Sequence, residues 1–215
     1  MAWAAAAVVA APAAALEMTF DRRTIEQALE IAHSTIESTH RQFHRPYRFT
    51  IGKAPVDFVE IVSPFRRLVL AAETELRLGR RMFGQREALA ALQPDPARLE
   101  VYAELTFHPL NTFVDVPEYR LLLVPAAAGG PPVAPTGIDR LPRYGPRLDD
   151  SRYPFPYPYS VAPRVPAGSE PLRGGTLIGR FDGGRLDPKG VYVVSIVDGN
   201  TELARTKPID LLALR

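Results

Sequence analysis

The sequence predicts an α+β protein in which N-terminal helices and a short hairpin precede a C-terminal antiparallel β-sandwich. Two observations carry this. Up to Pro96 the apolar residues recur mostly at intervals of three and four, the period of a helix; beyond it, residues 99–108 alternate strictly, the period of a strand. The later apolar runs are then joined by Asp-Gly and Asp-Pro-Lys-Gly turns rather than by helices, which favours antiparallel neighbours.

In residues 19–43, Ile25, Leu29, Ala32, Ile36 and Phe43 form one stripe. The pattern predicts a single amphipathic helix, capped by Asp21 or Thr19 and ended by Pro46. Residues 47–51 and 56–62 are short and rich in Val, Ile and Phe, and predict a hairpin joined through Gly52, Lys53 and Ala54. Ser63 followed by Pro64 is a helix start, because Ser accepts from the free amides of the first turn and Pro loses nothing there. That helix is predicted to run to about Phe83, burying Phe65, Leu68, Val69, Ala72, Leu76, Gly79 and Phe83. A shorter one, residues 85–92, stops before Pro94 and Pro96.

Residues 99–108 place Leu99, Val101, Ala103, Leu105 and Phe107 on one face and Glu100, Tyr102, Glu104, Thr106 and His108 on the other. Further strands are predicted at residues 119–124, 176–181, 191–197, 201–206 and 209–214. Between them, residues 125–175 hold 12 of the 22 prolines and 7 of the 15 glycines, which excludes helix and central strand. Tyr144 and the run Tyr153-Pro-Phe-Pro-Tyr-Pro-Tyr159 make this segment too aromatic for a free linker. An extended strap packed on the sandwich is expected, the alternative being a disordered insertion. The division is therefore residues 1–15, 16–96 and 97–215, the last interrupted by 125–175.

Residues 1–15 read as a signal peptide: an uncharged apolar run with Ala13 and Ala15 in the A-x-A arrangement, cleaved after Ala15. The run is too short to span a bilayer. The expected location is periplasmic or secreted. A formal charge of +2, from 23 Arg and 3 Lys against 24 acids, gives no reason to expect a nucleic-acid partner. The absence of Cys removes disulfides, thiolate metal sites and Cys nucleophiles. No GxSxG, HExxH, Walker, GxGxxG or EF-hand pattern occurs.

Three constellations remain. Glu26, Glu30, His33, Glu37, His40 and His44 line one side of the first helix if it is continuous, and His33, Glu37, His40 and His44 have spacings suited to a metal site. The alternative is a solvated polar flank. Arg66, Arg67, Arg77, Arg80 and Arg81 crowd one side of the second long helix, with Glu73 the main neutralising neighbour. Arg66, Arg77, Arg80 and Arg81 offer a surface for anionic lipid or an acidic partner. Finally, His108, Asn111, Thr112 and Asp115 sit on a loop stiffened by Pro109 and Pro117, where they contact a ligand, act as an oriented base, or simply satisfy loop backbone.

The stretch from Gly175 to Phe181, then Leu186-Asp-Pro-Lys-Gly-Val-Tyr-Val-Val-Ser-Ile-Val-Asp-Gly-Asn200 and Glu202-Leu-Ala-Arg205, resembles the last strands of bacterial secreted immunoglobulin-like modules. In those modules a Pro-x-Gly-x-Tyr turn feeds the penultimate strand and an Asp-Gly hairpin returns it. The resemblance implies an immunoglobulin-like sandwich. It departs from the antibody pattern, having no Cys pair and only Trp3, in the leader. The remainder resembles uncharacterised exported proteins of high-GC bacteria, which implies no activity. The functional expectation is a non-enzymatic binding or assembly module of the cell envelope, without cofactor, whose partner is another envelope or extracellular protein. The alternatives are a metal-dependent or His-based hydrolase and a peripheral membrane protein.

Overall fold

A computed structural model describes residues 20–79, 83–127, 130–144 and 172–214. The predicted leader and the aromatic run of residues 153–159 lie outside the described residues, as do Arg80 and Arg81. Among the described residues the fold is mixed α+β, with four helices and two antiparallel sheets.

The first predicted helix is two: α1 (Arg22–His33) and α2 (Glu37–His44). Asp21 caps α1, its carboxylate accepting from the Thr24 amide at 2.7 Å. The break has a local cause. The Ser34 hydroxyl accepts from the Ile36 amide, giving the backbone a turn that competes with the helix. After a 3-10 turn, β1 (Arg48–Lys53) and β2 (Val56–Val62) form the expected hairpin, with Gly52 supplying a positive φ of 63°.

Ser63 and Pro64 start α3 (Pro64–Arg77) as the sequence indicates, the Ser63 hydroxyl accepting from the Arg66 amide. The helix stops six residues short of Phe83, because Gly79 leaves it in the left-handed region at φ 75°. The last helix, α4 (Gln85–Leu92), agrees with its prediction. Ile25, Ala28 and Ala32 of α1 pack on Phe65, Leu68, Val69 and Ala72 of α3 and on Ala88 and Leu92 of α4.

The remaining strands are β3 (Leu99–Thr106), β4 (Arg120–Pro125), β5 (Gly137–Arg143), β6 (Gly174–Phe181), β7 (Val191–Asp198), β8 (Thr201–Arg205) and β9 (Ile209–Asp210). One sheet has the order β1-β2-β3-β6-β5; in the other β7 pairs β4, β8 and β9. The hairpin is thus part of the main sheet, with Val59 opposite Ala103 and Ile61 opposite Val101. Val59, Ile61, Val101, Leu105, Leu177 and Phe181 of the first sheet share a core with Leu121, Leu123, Val194 and Ile196 of the second. Phe43 of α2 packs against both this core and the helical one.

One expectation is refined and another needs correction. Part of the Pro-rich interval is strand: β5 lies at the edge of its sheet, where Pro142 removes no ladder bond that the interior needs. The last predicted strand shortens to β9, because Asp210 accepts from the Leu212 amide and turns the chain into a 3-10 turn. Tyr144 packs on the shared core.

The β6 strand passes so close to its neighbours that side chains are excluded from part of it. A Cβ on Gly175 would lie 2.6 Å from Val116 Cγ2 and 2.7 Å from the Leu141 carbonyl oxygen, whereas one on Gly137 would meet nothing nearer than 3.9 Å. Gly175→Ala is therefore expected to destabilise by about 1–3 kcal/mol through overpacking. Gly137→Ala should be neutral or slightly stabilising. Paired denaturant titrations check this, and equal midpoints for the two variants would refute the close-approach reading.

Candidate functional site

The break after His33 divides the predicted Glu/His stripe. His33 and Glu37 are exposed, and Glu37 pairs with Arg41 on α2. Glu26 pairs with Arg22. His40 and His44, one turn apart, turn inward and meet Glu73 of α3. One carboxylate oxygen, Oε1, lies 2.6 Å from His40 Nδ1 and 3.0 Å from His44 Nε2. The predicted metal set of His33, Glu37, His40 and His44 is corrected accordingly: two members come together, and the third donor comes from another helix.

The ring nitrogens not used by Glu73 set the proton preferences. His40 Nε2 faces the Ser34 carbonyl at 2.7 Å. Both its nitrogens thus face acceptors, an arrangement that favours the doubly protonated ring. His44 Nδ1 instead faces the Arg66 Nε–H at 3.4 Å, which favours a neutral His44 with its proton on Nε2. The shifts agree with this. Burial works against a charged His40, but the Ser34 carbonyl and Glu73 outweigh it and raise its pKa above the ordinary imidazole value. Burial holds His44 below that value against the pull of Glu73, helped by the charges of Arg66 and His40. Burial would raise Glu73, but the hydrogen bonds from His44 and His40 and the positive charge favoured on His40 keep it below the usual carboxylate range.

Arg66 completes the cluster and corrects the predicted basic face. It is fully buried, donating to the Ile61 carbonyl at 2.6 Å, lying 4.5 Å over the Tyr47 ring and 3.6 Å from a Glu60 carboxylate oxygen. Arg67 turns to the carbonyls of Leu92 and Asp95. Arg77 is exposed.

The third constellation forms a tied loop. Asn111 Nδ2 donates to the carbonyls of His108 and Leu172, and its Oδ1 accepts from the Phe113 amide. His108 Nδ1 accepts from the Leu110 amide, and Asp115 from the Val116 amide. Thr112 is exposed. His108, Asn111 and Asp115 each serve nearby backbone and so set the shape of the loop. Beside the exposed His108, Thr112, Asp115 and Glu118 the loop presents apolar side chains: Leu110 is 84% exposed, Val114 88% and Phe113 42%, with Phe113 standing edge-on to the buried Phe107 ring.

Sequence reasoning missed Glu73 as a site residue and Leu110, Phe113 and Val114 altogether. A signal for the first existed: Arg66 and Glu73 are seven residues apart and so border the same apolar stripe of α3. No family model, curated protein or solved structure matches this chain.

The two imidazoles titrate in opposite senses. The raised His40 contributes stability that is complete below the unfolded imidazole value of about 6.5 and is lost as pH rises through its folded value. The lowered His44 contributes stability that is complete above about 6.5 and is lost as pH falls through its folded value. With chelator present, stability should peak near the ordinary imidazole range. His40→Gln should flatten the alkaline limb and His44→Gln the acid limb. Denaturant midpoints across about pH 5 to 9 test this, and identical limbs in both variants would contradict the proton assignment.

Proposed function

We propose that this chain is an exported, non-enzymatic module that binds another envelope or extracellular protein through the loop between β3 and β4. The observation that carries the reading is the exposure of Leu110, Phe113 and Val114 within five residues of a loop tied down by Asn111, His108 and Asp115. Large apolar side chains held in water by a pre-shaped backbone are what an interface needs. They remove apolar area from water on contact, and little loop entropy is lost when they do. The occupant is a protein surface with an apolar pocket. Asp115 and Glu118, both exposed on the same loop, disfavour an anionic lipid surface.

The export part rests on the leader composition of residues 1–15. The immunoglobulin-like reading of the sandwich rests on the turn pattern of residues 175–205 and on two antiparallel sheets that share one core. Among the described residues no helix is long and apolar enough to cross a membrane.

A photo-crosslinking residue at Thr112 of the full chain, expressed in its native cell, tests the interface. A discrete adduct should form and fall by roughly 30-fold in Leu110→Asp or Val114→Asp, the size of a 2 kcal/mol hot spot. Both variants should keep their stability within about 0.5 kcal/mol, because these side chains are on the surface. Absence of an adduct, one indifferent to both substitutions, or vesicle binding that those substitutions abolish would overturn the reading. Export has its own test: the extracytoplasmic protein should begin at Leu16 by mass spectrometry, and a cytoplasmic chain retaining residues 1–15 would refute it.

A further inference from the structure

We propose that His40, His44 and Glu73 bind one divalent transition-metal ion of the zinc type, at a site separate from the partner surface and independent of that reading. Each residue offers one donor atom, and the three atoms lie within 4.8 Å of one another. Two imidazole nitrogens with one carboxylate oxygen are a borderline donor set, which zinc and its first-row neighbours take in preference to magnesium or calcium. The two imidazoles stand one turn apart on α2, and the carboxylate comes from α3.

Two further features point to a cation. His40 presents Nδ1 to the carboxylate while Nε2 faces the Ser34 carbonyl at 2.7 Å. A backbone acceptor on the far nitrogen is the arrangement that fixes the tautomer and direction of a metal-bound imidazole. Glu73 is 4% exposed, and its Oε2 has no hydrogen-bond partner among the described residues. A buried carboxylate oxygen without a donor is costly, and a bound cation removes that cost.

The exchange balances. In the metal-free arrangement the charge on His40 compensates Glu73; a bound ion takes its place and the His40 Nδ1 proton leaves to solvent. The His44 proton moves from Nε2 to Nδ1. The 3.4 Å contact from Arg66 Nε is then given up, while Arg66 keeps the Ile61 carbonyl and the Tyr47 ring. Access is from the α1–α2 corner: the His40 side chain is 20% exposed, and Ser34 lines an open cleft with Gln27, Glu30, Ile31 and Thr39.

The test uses the full chain, stripped with chelator and titrated calorimetrically with zinc chloride, with magnesium chloride as comparison. One equivalent of zinc should bind and raise the melting temperature, with no response to magnesium. His40→Gln and Glu73→Gln should each weaken zinc by more than about 100-fold, beyond the loss expected from removing an outer-shell partner. His33→Gln should leave affinity unchanged. Because Glu73→Gln disturbs a buried pair, cobalt(II) gives a second reading on better-tolerated chains. The wild type should develop visible ligand-field bands and His40→Gln should not. No zinc binding by the wild type, or undiminished binding by His40→Gln, would overturn the proposal; the second result would place the ion on other donors.

Discussion

A guanidinium taken out of water costs several kcal/mol unless its surroundings replace the lost hydration, and the helical half of this protein is arranged around one such group. Arg66 sits in the first turn of α3, and its partners come from β2, the 3-10 turn and α2: the Ile61 carbonyl, the Tyr47 ring and His44. Its position follows from the Ser63 cap and Pro64, which set where α3 begins. Two turns later the same helix delivers Glu73 to the other side of His44. One helix face thus holds α2 by its two histidines and ties it to the sheet. A buried ionic network of this kind is weak evidence of net stabilisation. The favourable energy lies in the apolar packing of Ile25, Ala28, Phe65, Leu68 and Val69 beneath it.

Legibility of the fold varied with how local its cause was. The Ser63-Pro64 start, the α4 limits and the alternation of β3 were readable because each depends on a few adjacent residues. The split between α1 and α2 was not, since a mid-helix Ser is neutral until its side chain is seen to bond the Ile36 amide. The β5 strand was hidden by Pro142, which excludes a central strand but not an edge one. Alternation along β3 correctly separated its faces. It could not reveal that the polar face is buried as well: there Glu100 accepts from the Tyr102 hydroxyl and Glu104 from Thr176.

The buried cluster was half legible for a similar reason. Helical spacing brings His40 and His44 to one face, but which neighbours that face meets is a tertiary fact. The continuous-helix assumption also added His33 and Glu37, which the turn at Ser34 carries away. By sequence Glu73 is the neutralising neighbour of nearby arginines; its burial assigns it instead to the histidines.

The loop after β3 reverses the usual inference from residue type. Polar residues on a stiff loop suggest a site, because water-exposed polar groups are free to meet a ligand. Here His108, Asn111 and Asp115 satisfy loop backbone, the demand that a chain leaving a sheet must meet first. The Asn111 bond to the Leu172 carbonyl goes further and ties the loop to the chain entering β6. Beside them the loop exposes the apolar Leu110, Phe113 and Val114 together with Thr112 and Glu118. Leu110 and Val114 gain nothing from their exposure in the isolated chain. The proposed partner surface therefore rests on apolar side chains, carried on a backbone whose shape the hydrogen bonds of His108, Asn111 and Asp115 hold.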